Sequence, residues 1–222
     1  MKKLLIFGTG GGAKLAYEKI LEKNDIDIYG FVEFKKFYKK KYLNKPVFMF
    51  EKINSEYYKN FLVFIHKNFN NLNEDRTKIY KKFKKMKFKF YSYIHPSLKY
   101  KNIKFGENCF ILENQSICSD VKIGNNVVMW THNHIGDRTE IKDNVWISSS
   151  VTIGGDCMIE KNCFLGMNST ISHGVKIKEN NLIGANALIS KNTHKNQVFI
   201  TESTKPAKVN SKEFVKKFQF DE

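Results

Sequence analysis

The chain has 222 residues, with 38 Lys and Arg against 22 Asp and Glu, for a formal net charge of +16. That length holds one large domain or two modest ones. The apolar run Leu4 to Phe7 is too short for the centre of a signal peptide and no run of about 18 apolar residues exists, so a soluble, cytoplasmic protein without membrane insertion is expected. The lysines are scattered from Lys35 to Lys104 among Phe, Tyr and Asn instead of gathering on one recognition element, which argues against nucleic acid as a partner and for a solvated surface, part of whose charge attracts phosphorylated substrates.

In chain order, Lys3 to Phe7 reads as a buried strand, followed by the turn Gly8-Thr9-Gly10-Gly11-Gly12 and a helix from about Ala13 to Glu22. A second strand, Ile26 to Val32, ends at Glu33, where a nucleotide-binding α/β unit often sets an acid on a ribose hydroxyl. Gly8 permits a tight turn, while Gly10, Gly11 and Gly12 let a phosphate approach free amides at the helix start. Strands at Phe61 to Ile65 and Lys87 to Tyr91, with a lysine-rich helix from Glu74 to Lys85 between them, complete a four- or five-stranded parallel sheet. Lys81, Lys82, Lys84 and Lys85 on that helix read as a solvated face.

From Phe105 a different pattern begins. Every sixth residue is large and apolar: Phe105, Ile111, Ile117, Ile123, Met129, Ile135, Ile141, Ile147, Ile153, Ile159, Leu165, Ile171, Ile177, Ile183 and Ile189. Neither a helix nor an ordinary strand keeps such a register, but a coil with six-residue sides does. Four residues after each sits a mostly small or β-branched residue, such as Val121, Thr139, Val151 or Ser169, so one large and one small side chain per side fill a triangular prism. Glycine often follows the large residue, as at Gly106, Gly136 and Gly154, which suits a corner that strains any residue with a Cβ. Three sides close a coil, so Ile135, Ile153, Ile171 and Ile189 are expected to stack at the strand spacing of about 4.8 Å. The same register places Cys109, Cys157 and Cys163 on the small inward position, as buried inert thiols rather than metal ligands or nucleophiles, and Cys118 at a corner. No metal site is expected.

The run from Ile123 to Ile177, with the leading glycine turn, the junction Ile94-His95-Pro96-Ser97 and the terminal Pro206-Ala207-Lys208, resembles the hexapeptide-repeat acyltransferases. Within them it is similar to the sugar acetyltransferases that act on nucleotide-linked amino sugars or sialic acid. The resemblance implies a Rossmann-like nucleotide-sugar-binding domain over 1–92, a left-handed parallel β-helix over 93–194 and a tail over 195–222. It also implies a homotrimer, with acetyl-CoA as co-substrate along a groove between neighbouring coils. Carried over by register, the corner contacts to acetyl-CoA are Gly155, Met167 and Ala185, and the nucleotide sugar is held by Gly8, Gly10, Gly11, Gly12 and Glu33.

Three departures from that family stand out. The usual base, a His two residues after a corner-preceding Ile, is here Asp137. His134, pointing outward beside the same corner, is one candidate base; Asp137, as base or as a partner of His134 or of the acceptor's ammonium, is another; direct attack by a free amine held in place is the third. His132 lies on a different edge of the prism and His173 on the edge of Asp137, both read as corner residues. Relatives often carry a His in the glycine turn where this chain has Gly12, and Ile65-His66-Lys67-Asn68-Phe69-Asn70-Asn71 replaces their usual Gly-containing loop. The leading expectation is acetyl-CoA-dependent N-acetylation of a nucleotide-linked amino sugar for bacterial surface glycans. The alternatives are O-acetylation of sialic acid or another sugar hydroxyl, and a non-catalytic trimeric scaffold.

Overall fold

A computed structural model describes residues 2–54, 56, 58, 61–66, 71–98 and 102–216. The N-terminal part is an α/β domain. Strand β1 (Lys3–Phe7), helix α1 (Gly11–Lys23) and strand β2 (Asp27–Glu33) follow the expected order, with α1 starting on the glycines themselves. Two strands escape the sequence reading: β3 (Lys41–Tyr42) and β4 (Lys45–Met49). Then come β5 (Phe61–Ile65), helix α2 (Glu74–Lys85) and β6 (Lys89–Phe90). The sheet order is β3-β4-β2-β1-β5-β6, with β1, β2, β4, β5 and β6 parallel and β3 antiparallel at the edge. The strand order reverses at β1, so the carboxyl ends of β1, β2 and β5 open on a common crevice, the place where open α/β sheets bind ligands.

From Tyr93 onward the chain winds into three parallel sheets whose strands are two residues long. Between the first rung, Tyr93 on Phe110, and the last, each strand pairs with the one eighteen residues on, as in His134↔Thr152, Glu140↔Met158 and Trp146↔Phe164. This three-sided stack, with its hexapeptide spacing, fits a left-handed β-helix. The first residue of each strand faces outward and the second inward; Ile135, Ile141, Ile147, Ile153 and Ile159 are all buried. The small positions are buried too, including Val121, Thr139, Val151 and Ser169. Burying an Ile of this kind is worth about 1.5–3 kcal/mol, and the rungs repeat it many times over. The last rung, Val198–Phe199 on Leu182–Ile183, closes after sixteen residues, so the coil runs on past residue 194.

The polar residues on inward positions bond to the backbone of the corners. Asn133 donates to the Trp130 carbonyl (2.6 Å) and accepts from the Val151 amide (2.8 Å), and Thr139 donates to the Gly154 carbonyl (2.9 Å). Cys109, Cys157 and Cys163 are buried free thiols and Cys118 is half-buried. Burial pushes the Cys109 thiol up to about 11 and Cys163 up to about 12.

The corner glycines require a correction. Gly106, Gly136 and Gly154 do not adopt positive φ; the left-handed residues are Asn108, Asn114, Asp120, Asn126, His132, Arg138, Asn144 and their successors, each sixth in the chain. Asn tolerates that conformation better than most residues. The glycines are instead crowded from the next coil: a Cβ on Gly106 would meet the Gly124 carbonyl carbon at 2.6 Å, and one on Gly154 the His173 amide nitrogen at 2.6 Å. Close stacking, and not backbone twist, selects them.

The α/β domain packs on one face of the prism. Outward residues of that face, Phe110, Val128 and Trp146, are buried in the same core as Leu4, Ile6, Ala16 and Phe31. Arg76 of α2 is fully buried and donates to the carbonyls of Asn126 (2.6 Å) and Asn144 (3.1 Å) and to the Asn73 side chain (3.2 Å). Asn108 of the coil bonds the backbone of Ile65 in both directions, accepting from its amide (2.8 Å) and donating to its carbonyl (3.1 Å). Among the described residues no helix is long and apolar enough to cross a membrane.

Crowding at the corners can be measured as stability. Gly106→Ala forces its Cβ into backbone and is expected to destabilise by about 1–3 kcal/mol. Gly11→Ala, at the first helical position of α1 where an added Cβ would meet nothing within 4 Å, is expected to leave stability unchanged or raise it by less than about 1 kcal/mol. Denaturant unfolding of the two variants measures the contrast.

Candidate functional site

The crevice predicted by the strand order is a cleft of about 310 Å³ lined by Phe7, Gly8, Thr9, Gly10, Gly11, Gly12, Ala13, Glu33, Phe37 and His66. The turn leaves β1 through Gly8, whose φ of +107° only glycine adopts readily, and whose amide bonds the Val32 carbonyl at 2.8 Å. Gly10 is the N-cap of α1 in extended conformation, and no side chain among the described residues caps the helix. The first-turn amides therefore lack an intrahelical partner and face the cleft with the positive end of the helix dipole. An anion is the chemical complement of that arrangement.

Glu33 is buried at the end of β2 and lines the cleft, but its carboxylate already works on the turn. It accepts from the Thr9 amide (3.0 Å) and hydroxyl (3.2 Å) and from the Phe34 amide (2.9 Å). Its first effect is thus to hold the glycine turn in shape. The structure brings Gly8, Gly10, Gly11, Gly12 and Glu33 together.

Sequence reasoning named His66 only as part of a changed loop; Lys67 to Asn70 of that loop lie outside the described residues. In space His66 is a wall of the cleft. Its ring is buried between Phe64, Phe110 and Trp146, with centroids at 6.4, 4.4 and 5.8 Å, and it sits against Gly12. A Cβ on Gly12 would lie 3.1 Å from the His66 Cδ2, so the bare glycine makes room for the imidazole. Burial first, and the Arg76 guanidinium second, lower the His66 pKa to about 3, which keeps the ring neutral. The available signal was its place: a polar residue just past the end of a buried strand beside the reversal of strand order.

The coil candidates are distributed over two edges. His134 is exposed on a strand of one face, its Nδ1 3.3 Å from the Ser116 hydroxyl. Asp137, at the following corner, is ion-paired with Arg138, which also grips Asp156 through Nε and a terminal nitrogen at 2.7 Å each. His173 approaches Asp156 at 3.5 Å on the same edge. His134 opens the strand that leads to the corner of Asp137, but the two are engaged with different partners. Gly155 is buried directly against Asp137: a Cβ there would meet the Asp137 Oδ1 at 2.6 Å. Met167 and Ala185 are exposed and stacked one coil apart, on the edge that also carries His132, not on the edge of Gly155. One chain alone therefore does not unite the three expected acetyl-CoA contacts. Among the described residues no group of three or more His, Cys, Asp or Glu is placed to hold a metal ion.

With this geometry in view, comparison places the chain among known folds. The bacterial transferase hexapeptide (six repeats) family profile matches residues 138–172 and 156–191. No curated protein matches the chain by sequence. Among solved structures, a mutant of perosamine N-acetyltransferase from Caulobacter crescentus in complex with CoA and GDP-perosamine superposes with a TM-score of 0.78 at 18% identity, covering 88% of this chain and 92% of that one. WeeI from Acinetobacter baumannii AYE superposes with a TM-score of 0.76 at 14% identity, covering 88% and 94%. The acetyltransferase domain of PglB from Neisseria gonorrhoeae FA1090 gives 0.57 at 14%, covering 89% and 96%. The chain thus has the fold of the hexapeptide-repeat sugar acetyltransferases, shared across both of its parts.

The neutral His66 makes a prediction for acid stability. In the unfolded chain it titrates near 6.5 and in the folded chain only at about 3, so the unfolded state binds the extra proton in between. Its contribution is present in full above pH 6.5 and falls as pH drops towards 3, by on the order of 1.4 kcal/mol per pH unit. Urea titrations from pH 7 to pH 4 are expected to show a shallower loss in His66→Phe than in the unaltered protein.

Proposed function

We propose that this protein is an acetyl-CoA-dependent acetyltransferase that N-acetylates a nucleotide-linked amino sugar in bacterial surface glycan synthesis. The observation that carries the reading is the joining of an anion-ready glycine-turn cleft to a hexapeptide prism over nearly the whole chain. The Caulobacter protein with that same two-part fold is described in complex with CoA and GDP-perosamine. On this reading the α/β part, over 1–92, is a Rossmann-like domain that binds the nucleotide through Gly8, Gly10, Gly11 and Gly12, with Glu33 shaping the turn. The coil from 93 assembles as a homotrimer, and the segment beyond its last rung, Val198–Phe199, follows it as a tail. Gly155 from one chain and Met167 and Ala185 from its neighbour line the acetyl-CoA groove, which reconciles their placement on different edges. The protein acts in the cytoplasm, where both substrates are made.

Acetyl transfer requires a neutral amine to attack the thioester carbonyl, donors for the resulting oxyanion and an exit for the amine's proton. Asp137 is paired with Arg138 at the corner, where its negative charge attracts the acceptor's ammonium. His134 is exposed and linked to Ser116, free of that clamp. An amine acceptor needs less from a side-chain base than a hydroxyl does, so this edge favours N-acetylation over O-acetylation.

The test is to offer the purified protein acetyl-CoA with UDP-, dTDP- and GDP-linked amino sugars and to follow release of free thiol. Turnover with at least one is expected; silence across the panel together with no CoA binding in calorimetry would point to the scaffold reading. His134→Ala is expected to lower kcat about tenfold to a hundredfold by removing a general base. Asp137→Asn is expected to raise KM for the sugar more than it lowers kcat.

A further inference from the structure

His66 stands apart from the other cleft residues in three respects. Its Nδ1 is buried without a hydrogen-bond partner among the described residues, an arrangement that costs about 1–3 kcal/mol unless something answers it. Its Nε2 edge lies against the glycine turn, 3.6 Å from where a Cβ on Gly12 would sit. It also touches the prism, through Phe110 and Trp146.

The sheet order fixes which part of a ligand it meets. Strand β1 lies between β2 and β5, so Glu33 at the end of β2 and His66 just past β5 flank the glycine turn from opposite sides. The His66 side is the one on which the prism packs. A ligand with its phosphates at the α1 amides thus has one end towards Glu33 and the other towards His66 and the coil, where acyl transfer belongs.

We infer that His66 contacts the sugar of the bound nucleotide sugar and helps to set which sugar is accepted, an inference that rests on the function proposed above. The ring suits a hydroxyl or amine and not a phosphate. A neutral imidazole offers one donor and one acceptor and carries no charge for a diphosphate, which the helix amides already serve. Its position is rigid: the aromatic slot holds the ring, and Asn108 of the coil pins the backbone of Ile65 immediately before it. A hydrogen-bonding group so fixed discriminates against ligands that leave it unpaired.

Calorimetric titration of the unaltered protein, His66→Phe and His66→Gln with UDP-, dTDP- and GDP-linked amino sugars, and with free UDP, dTDP and GDP, tests this. Phenylalanine fills the slot without a polar atom, so the affinity for the sugar-linked nucleotide is expected to fall about tenfold while that for the free diphosphate stays within about twofold. Glutamine is expected to recover most of the loss. Unchanged affinity for the sugar-linked nucleotide in His66→Phe, or equal weakening of sugar-linked and free nucleotide, overturns the inference and leaves the nucleotide-sugar function standing. If His66→Phe does not fold, His66→Leu carries the same comparison. Failure of the unaltered protein to bind any member of the panel overturns the proposed function, and this inference with it.

Discussion

Everything in the C-terminal part follows from one constraint: the chain must return to the same place after eighteen residues, one strand spacing higher. Each position then sits on its own likeness from the coil below. Inward columns hold an Ile and a small residue because nothing else fills the prism without a void or an overlap. The left-handed column is mostly Asn, which tolerates positive φ and bonds to the Asn one coil away, as Asn108 does to Asn126 (2.7 Å) and Asn126 to Asn144 (2.8 Å). The glycines mark where two corners come too close for a Cβ. A single repeated geometric demand thus accounts for four residue preferences at four places in the hexad.

The same columns explain how the α/β domain is seated. Outward positions of a solvated face are polar or charged, as Lys104 and Lys122 are on one side of the prism. On the covered side the corresponding column reads Phe110, Val128 and Trp146. Arg76 and Asn108 then join the two parts at the backbone. Arg76 has no carboxylate partner among the described residues; its terminal nitrogens donate to carbonyl oxygens, its Nε is buried without a partner among those residues, and burial lowers its pKa to about 9. A buried guanidinium held only by carbonyls is a costly bolt, tolerable because removing it would strand those carbonyls as well. The orientation of the glycine turn relative to the coil therefore depends on this shared apolar face together with hydrogen bonds at the end of β5 and along α2.

The legible features were those that repeat or stand close in sequence. The six-residue period needs no partner outside the coil, so its core, its three sides and the burial of Cys109, Cys157 and Cys163 could be read directly. The strand, glycine turn and helix at the N-terminus are equally local, and α2 begins and ends at the residues expected. What escaped depends on distant contacts. Strand β4 is short and interrupted by Pro46, and acquires its identity by pairing with β2. Arg76 looked like one more cation on a lysine-rich helix, and only packing against Trp146 and the coil carbonyls sets it apart. His66 lies far from Gly12 in sequence and becomes part of the cleft only because β5 is placed beside β1. The glycine periodicity was visible, but its cause was not, because the atoms that crowd Gly106 belong to the next coil.

The two halves also divide the chemical work in a way that neither accomplishes alone. The cleft supplies uncapped amides for an anion and a neutral imidazole facing the prism. The coil supplies an exposed histidine, a clamped carboxylate and open corners on two separate edges. On the proposed function, a ligand held at the turn reaches across the seam that Arg76 and Asn108 fix, to an edge of the coil. On that proposal the seam must be rigid, because a shift of about 1 Å between the halves would undo the alignment on which proximity catalysis depends. That requirement gives a physical reason for a buried, carbonyl-bound arginine to stand where an apolar side chain would pack at lower cost.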